Sequence, residues 1–236
     1  MALDSAGNLY VGNWFASTIQ KFTPSGVHSG FATNNISGPA SLAFDPAGNL
    51  CVANYWGGTV VKLAPDGTGW IFASGMSYPN GVACDHAGNV YVACAGSSTI
   101  QKFTPSGVGS VFVSGLSSPL LGGLACDSAG NLYAECQQNQ PIIEKFTPNG
   151  VGSVFVSNGY AEPSGLVFDS SGNLWAANYG DNTIEEFAPN GSLLLHINTP
   201  YSPYGIAVQQ VPEPVSVTLV FLGTAIFLMR YCTVFR

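Results

Sequence analysis

Five copies of Asp-x-x-Gly-Asn punctuate this chain, at Asp4–Asn8, Asp45–Asn49, Asp85–Asn89, Asp127–Asn131 and Asp169–Asn173, with successive Asp residues 41, 40, 42 and 42 apart. Other landmarks keep the same step. Phe22, Leu63, Phe103, Phe146 and Phe187 each stand two residues before a Pro, and Gly26, Gly67, Gly107, Gly150 and Gly191 stand two residues beyond it. A period of about 40–45 residues is the length of one four-stranded propeller blade. Strands this short cannot bury a face alone, so the copies must stack around a shared axis and leave only short edges open.

Within one unit the residues read as four strands. Gly81–Cys84 is small and apolar, as an inner strand beside a crowded axis must be. Asp85–Asn89 makes a turn, its Asp able to accept backbone N–H bonds and its Gly-Asn pair tolerating positive φ. Val90–Ala93 is the second strand, Thr99–Phe103 alternates as the third, Pro105-Ser106-Gly107 turns the chain, and Val111–Val113 is the fourth. No segment before Val215 has helical periodicity. We expect an all-β propeller of five four-stranded blades over residues 1–209. Tyr204–Val208 reads as one further first strand. Either five blades close with it beside the N-terminal blade, or a sixth blade precedes Met1; five is the expectation for this chain.

The unit resembles the NHL repeat. The likeness is carried by Pro79-Asn80-Gly81-Val82-Ala83-Cys84-Asp85, then Gly88-Asn89-Val90-Tyr91-Val92-Ala93, then Ile100-Gln101-Lys102-Phe103, repeated across residues 1–209. One departure recurs: nine residues after its turn Asp the family commonly has a second Asp, whereas this chain has Asn13, Asn54, Cys94, Cys136 and Asn178.

Residues 210–236 are of another kind. Val211-Pro212-Glu213-Pro214 leads into an uncharged apolar run from Val215 to Met229, followed by Arg230 and an end at Arg236. With Tyr231 to Phe235 the apolar stretch approaches the roughly 20 residues that a bilayer core requires, and Arg230 can snorkel toward the headgroups. We expect a transmembrane helix over about 215–235. The order Pro-Glu-Pro, hydrophobic helix, basic end resembles the PEP-CTERM sorting signal of Gram-negative bacteria, although Arg230 and Arg236 stand apart where the family has an Arg cluster. The resemblance implies export, transient anchoring in the inner membrane, recognition by an exosortase, and a final place at the cell surface or in the extracellular matrix. An ordinary single-pass anchor and a buried C-terminal helix are the alternatives. Met1-Ala2-Leu3-Asp4-Ser5 has no basic or apolar signal region, so we expect the gene to start upstream.

Charged residues make up only 8% of the chain, against about 25% in an ordinary globular domain, and the net charge is -7. No basic stripe exists to displace counterions, which excludes a nucleic-acid partner. There are six cysteines. Cys84 and Cys126 hold one place in consecutive repeats, Cys94 and Cys136 another, Cys51 replaces an aromatic, and Cys232 lies in the tail. Small buried apolar groups are the expected role, with a cross-blade bridge as the alternative.

Loops that enter the inner strands, or join second to third strands, share one end of the expected channel. They are rich in rings and amides: Trp14 and Phe15, Tyr55 and Trp56, Tyr78 and Asn80, Gln137 to Gln140, Tyr160 and Glu162, Tyr179 with Asp181 and Asn182, Tyr201 and Tyr204. Rings with neutral hydrogen-bonding groups suit a sugar or a peptide; the alternative is packing between blades. The turn Asp residues fall at the opposite end, one per blade, and are expected to serve their turns rather than Ca²⁺. His28, His86 and His196 occupy unrelated places, and Glu135 alone identifies no reaction. The expected function is a noncatalytic protein- or polysaccharide-binding propeller without cofactor or metal. The alternative is a metal-dependent hydrolase or lyase resembling the gluconolactonase or streptogramin lyase groups.

Overall fold

A computed structural model describes residues 1–116, 122–137, 141–157, 163–209, 216–222 and 225–231. Each repeat folds into an antiparallel four-stranded sheet in chain order, giving five blades. The strands of blade two are Pro39–Phe44, Leu50–Asn54, Thr59–Leu63 and Gly69–Ser74; those of blade three are Pro79–Cys84, Val90–Cys94, Thr99–Phe103 and Gly109–Val113. The strand bounds expected from sequence hold to within a few residues in blade three.

The Asp turn explains why the motif recurs. Asp85 N–H donates to Asn89 O at 3.0 Å and Gly88 N–H donates back to Asp85 O at 3.0 Å, closing a tight hairpin. The carboxylate then accepts from the amides of Ala87 and Asn89 at 3.0 and 2.9 Å, and from Asn89 Nδ2 at 2.8 Å. Asp4, Asp45, Asp127 and Asp169 make the same backbone-amide bonds. A second device joins blades. Gly67, in the turn between the third and fourth strands of blade two, has φ +85°, and a Cβ there would lie 2.5 Å from Phe31 O of blade one. Gly150 and Gly191 press on Phe112 O and Phe155 O of the preceding blades in the same way. Glycine is therefore what lets successive blades nest.

The core lies between blades. Second strands Leu50–Asn54, Val90–Cys94 and Leu174–Asn178 are buried throughout. Tyr10 meets Phe31 and Phe44 edge-on at 4.8 and 5.2 Å, and Tyr133 meets Phe155 and Phe168 at 4.9 Å each. Such T-shaped contacts add about 0.5–1.5 kcal/mol beyond area burial.

The five four-stranded blades match expectation. Ile206–Val208, the surplus strand, takes a further inner place between blade five and blade one. Gly165 of blade five abuts Gly205 and Ile206, Ala207 packs with Leu9, and Ile206 and Val208 cover Trp175. Its outward edge is paired in parallel by Ala225–Tyr231, which pairs antiparallel with Ser216–Leu222. These segments are rich in Val, Thr, Ile and Phe, residues that suit a pleated surface. The transmembrane helix expected over 215–235 is a conformation for a bilayer, where backbone groups must be satisfied within the segment; among the described residues no helix is long and apolar enough to cross one. Arg230 falls in the second hairpin strand, while Val211, Pro212, Glu213, Pro214, Cys232 and Arg236 lie outside the described residues.

Candidate functional site

In blades one, two and five the loop between second and third strands is held by an amide at the ninth place after the turn Asp. Asn13, Asn54 and Asn178 each donate through Nδ2 to a Thr hydroxyl five residues on, at 3.1, 3.1 and 3.0 Å. Asn54 also donates to Asn35 O at 2.6 Å and accepts from Ser37 N–H at 3.2 Å, tying its loop to the entry of its own inner strand. This is what the three asparagines contribute where the NHL pattern has Asp. A neutral amide can donate to the loop and accept from it at once, and a carboxylate can only accept.

On these loops stands a continuous run of rings from three blades. Trp56 meets Trp14 at 5.3 Å and 73°, Trp14 meets Tyr55 at 4.9 Å and 47°, and Tyr55 stacks on Tyr78 at 5.0 Å and 29°. On another side of the hub Tyr179 meets Tyr204 edge-on at 5.0 Å. Trp56, Tyr78 and Tyr204 are 50, 53 and 69% exposed, so these rings keep free faces.

Tyr78 has a backbone that most side chains avoid, with φ +51°. The matching place in blade two is Gly38, at φ +59°. The match is set by hydrogen bonding: Tyr55 N–H donates to Gly38 O and Ala95 N–H to Tyr78 O, both at 3.0 Å. The left-handed region costs a non-glycine residue about 1–2 kcal/mol, and strain of this kind concentrates at functional positions.

Trp14, Phe15, Tyr55, Asn80, Tyr179 and Tyr204 line a hub cavity of about 1640 Å³. Trp56 and Tyr78 join this group through their ring contacts. Asp181 stands aside: it is exposed, and its Oδ1 accepts the Thr183 hydroxyl at 2.8 Å, a loop-supporting role. Gln138 to Gln140, Tyr160 and Glu162 lie outside the described residues, as does the side chain of Gln137. Below the rim the inner strands line the cavity with small and apolar residues, among them Ala40, Val82, Leu124, Leu166 and Ala207.

Glu135 takes a larger part than its sequence position announced. It holds the place of Ala53, Ala93 and Ala177, and its carboxyl fills the space where a Cβ on Gly123 would project. Oε2 accepts Gly123 N–H at 3.0 Å, while Oε1 is buried and, among the described residues, has no group within hydrogen-bonding geometry. Burial pushes its pKa up to about 8, against the pull of the Gly123 and Gly165 amides. Gly123 and Gly165 both face the cavity. The readable signal was an acid at a place otherwise filled by Gly or Ala.

At the other mouth lie His86, Asp127, Lys145 and Asp169. Among the described residues no three His, Cys, Asp or Glu side chains converge as metal ligands. His196 Nδ1 pairs with Glu185 Oε1 at 3.0 Å in blade five, while His28 lies beside Phe22 in blade one.

No protein-family model matches this sequence, and no curated protein does. Solved structures match it over most of its length. A chain of a nidogen/laminin complex superposes with a TM-score of 0.76 at 18% identity, covering 85% of this chain and 81% of that one. Streptogramin B lyase gives 0.70 at 18% identity, covering 87 and 71%. A gluconolactonase from Xanthomonas campestris gives 0.75 at 17% identity, covering 86 and 76%. At such identities the likeness establishes the β-propeller fold, and propellers of one architecture host unrelated functions.

Proposed function

We propose that this chain is an exported, noncatalytic NHL-type propeller that binds a protein or glycan through its aromatic rim and is sorted by a PEP-CTERM tail. Tyr78 is the observation that carries the binding reading. A half-exposed ring stands at φ +51° where the neighbouring repeat uses glycine, and it extends the Trp56–Trp14–Tyr55 run across a third blade. A residue kept only for packing would be expected to turn its ring inward. Flat apolar faces beside a neutral amide such as Asn80 suit the C–H face of a sugar or a peptide side chain. The likeness to part of a nidogen/laminin complex supports a protein ligand. A net charge of -7 disfavours a polyanionic ligand.

For the tail, Val211-Pro212-Glu213-Pro214, the apolar stretch over 215–235 and Arg230 support an inner-membrane helix presented to an exosortase, with release to the cell surface or matrix. The rim is tested with the full chain on arrays of glycans and matrix proteins, against a Trp14→Ala, Trp56→Ala, Tyr179→Ala triple variant. We expect at least a tenfold loss of signal; equal signal from a folded variant removes the binding reading. Turnover of a lactone or cyclic ester by the purified chain would favour a hydrolase or lyase instead. The tail is tested behind a cleavable leader in an exosortase-bearing host, where alanine at Pro212, Glu213 and Pro214 is expected to hold the protein in the inner-membrane fraction.

A further inference from the structure

The interface between blades two and three is built differently from its neighbours. Elsewhere the residue six places after a turn Asp is Tyr or Trp, and it packs on the residue just before the next turn Asp: Tyr10 on Phe44, and Tyr133 on Phe168. Between blades two and three both of these places hold cysteine, Cys51 and Cys84. Cys84 Sγ donates to Cys51 Sγ at 3.5 Å. Cys51 is fully buried, while Cys84 lines the hub cavity. Between blades three and four only the second place is a cysteine, Cys126, opposite Tyr91; between blades two and three the two places hold two thiols in contact, and one of the two residues borders the cavity.

We propose that Cys51 and Cys84 form a blade-to-blade disulfide when the folded chain meets a small-molecule disulfide donor. The sulfurs need to approach by about 1.5 Å to reach the bonded distance of about 2.05 Å. The thiolate of Cys84, a residue at the border of the cavity, attacks one donor sulfur; the donor S–S bond breaks and one donor thiolate leaves. Cys51 Sγ then attacks the Cys84 sulfur of this mixed disulfide and the second donor thiolate leaves. Two protein thiols are oxidised, one donor disulfide is reduced to two thiols, and the two protein protons pass to solvent or to those thiolates. The hydrogen bond to Cys51, and then burial, push the Cys84 thiol well above its ordinary range, so exchange is favoured by alkaline solution. The bridge is independent of the rim's ligand.

The test exposes the reduced full chain to oxidised glutathione at about pH 9, denatures it in acid, alkylates the remaining thiols and maps them by mass spectrometry. We expect one linked Cys51–Cys84 species, with Cys94, Cys126, Cys136 and Cys232 alkylated. A Cys84→Ser variant is expected to leave Cys51 fully alkylated. Glutathione retained on Cys84 beside an alkylated Cys51, pairing of either with another cysteine, or full alkylation of both overturns the proposal.

Discussion

Lys62 Nζ stands 2.8 Å from Asp45 Oδ2, and both side chains are buried. In the other blades a ring donor takes this duty: Tyr10, Tyr91 and Tyr133 hydroxyls and the Trp175 indole reach the second oxygen of their turn Asp at 3.2, 3.2, 3.4 and 3.1 Å. Cys51 cannot reach, and the lysine comes in. The same ammonium lies 4.4 Å from the centre of the Phe72 ring. Lys21 and Lys145, at matching places, stay 4.0 and 3.8 Å from their Asp partners. Cys51, where the other repeats have a ring, thus goes with a different holder of the turn and a different face toward blade three.

Removing one member of a buried ion pair leaves the other uncompensated, at about 3–5 kcal/mol in dry surroundings. Asp45 keeps its turn amides, so we expect Lys62→Met to cost about 2–4 kcal/mol in urea unfolding. Lys21→Met, at a more exposed pair, is expected to cost under about 1 kcal/mol. Burial works to raise the Asp45 pKa, but the Lys62 and Asn49 hydrogen bonds outweigh it and hold the carboxyl below its usual range. Its contribution is therefore present above the ordinary carboxylate range and fades as pH falls through the depressed value. Equal losses for both variants would show that the buried pair has no special role.

Gly67 and Gly26 are matched places that differ only in their surroundings. Both have positive φ, +85° and +81°, but a Cβ on Gly67 would collide with Phe31 O at 2.5 Å, whereas among the described residues nothing lies within 4 Å of one on Gly26. Gly26→Ala is expected to cost about 1 kcal/mol, the left-handed backbone alone. Gly67→Ala must also part blades one and two, and about 3 kcal/mol or more is expected. Urea midpoints of the two variants check this; equal shifts would mean that the blades do not nest as described.

Glu135 sets a pH dependence. Its pKa of about 8 in the folded chain exceeds the ordinary carboxylate value near 4.5, because burial disfavours the charge. Below about 4.5 both folded and unfolded chains hold the proton, and the native fit is fully available. Between about 4.5 and 8 the unfolded chain releases it while the folded chain keeps it, so stability falls with rising pH, by at most about 1.4 kcal/mol per unit. Above about 8 the slope ends. Glu135→Gln keeps the shape without the charge and is expected to flatten this limb and to be the more stable form at pH 8. Parallel stability curves for the two proteins from pH 5 to 8 would overturn the assignment.

The blades were legible because their landmarks answer backbone demands that the sequence must meet locally: Asp85 feeds two turn amides, and Gly67 makes room for the Phe31 carbonyl. The clustering of Trp14, Tyr55 and Tyr78 was legible only as a shared end of the hub, since ring contacts depend on how neighbouring blades are rotated. Asn54 showed itself as a departure from a pattern, but its work depends on Asn35 and Ser37, brought near by the inner strand. Glu135 was harder still. Its place exists because Gly123, twelve residues earlier, lacks a side chain. A spacing argument sees the acid but not the hole that receives it.

Tyr78 offers a separation of stability from binding. Replacing it by glycine gives up one stacked ring contact, worth about 0.5–1.5 kcal/mol, and relieves a left-handed backbone costing about 1–2 kcal/mol, while glycine returns about 0.5–1 kcal/mol of chain entropy to the unfolded state. The terms nearly cancel, so Tyr78→Gly is expected to lie within about 1 kcal/mol of the parent in urea unfolding. Tyr55 differs, because it touches both Trp14 and Tyr78 at ordinary backbone geometry, and Tyr55→Ala forfeits both contacts with no strain relieved. If the rim is a binding surface, Tyr78→Gly loses ligand signal on the array while its urea midpoint stays put. A variant that binds as the parent does, or one that loses several kcal/mol, would show that this ring is held at positive φ for packing alone.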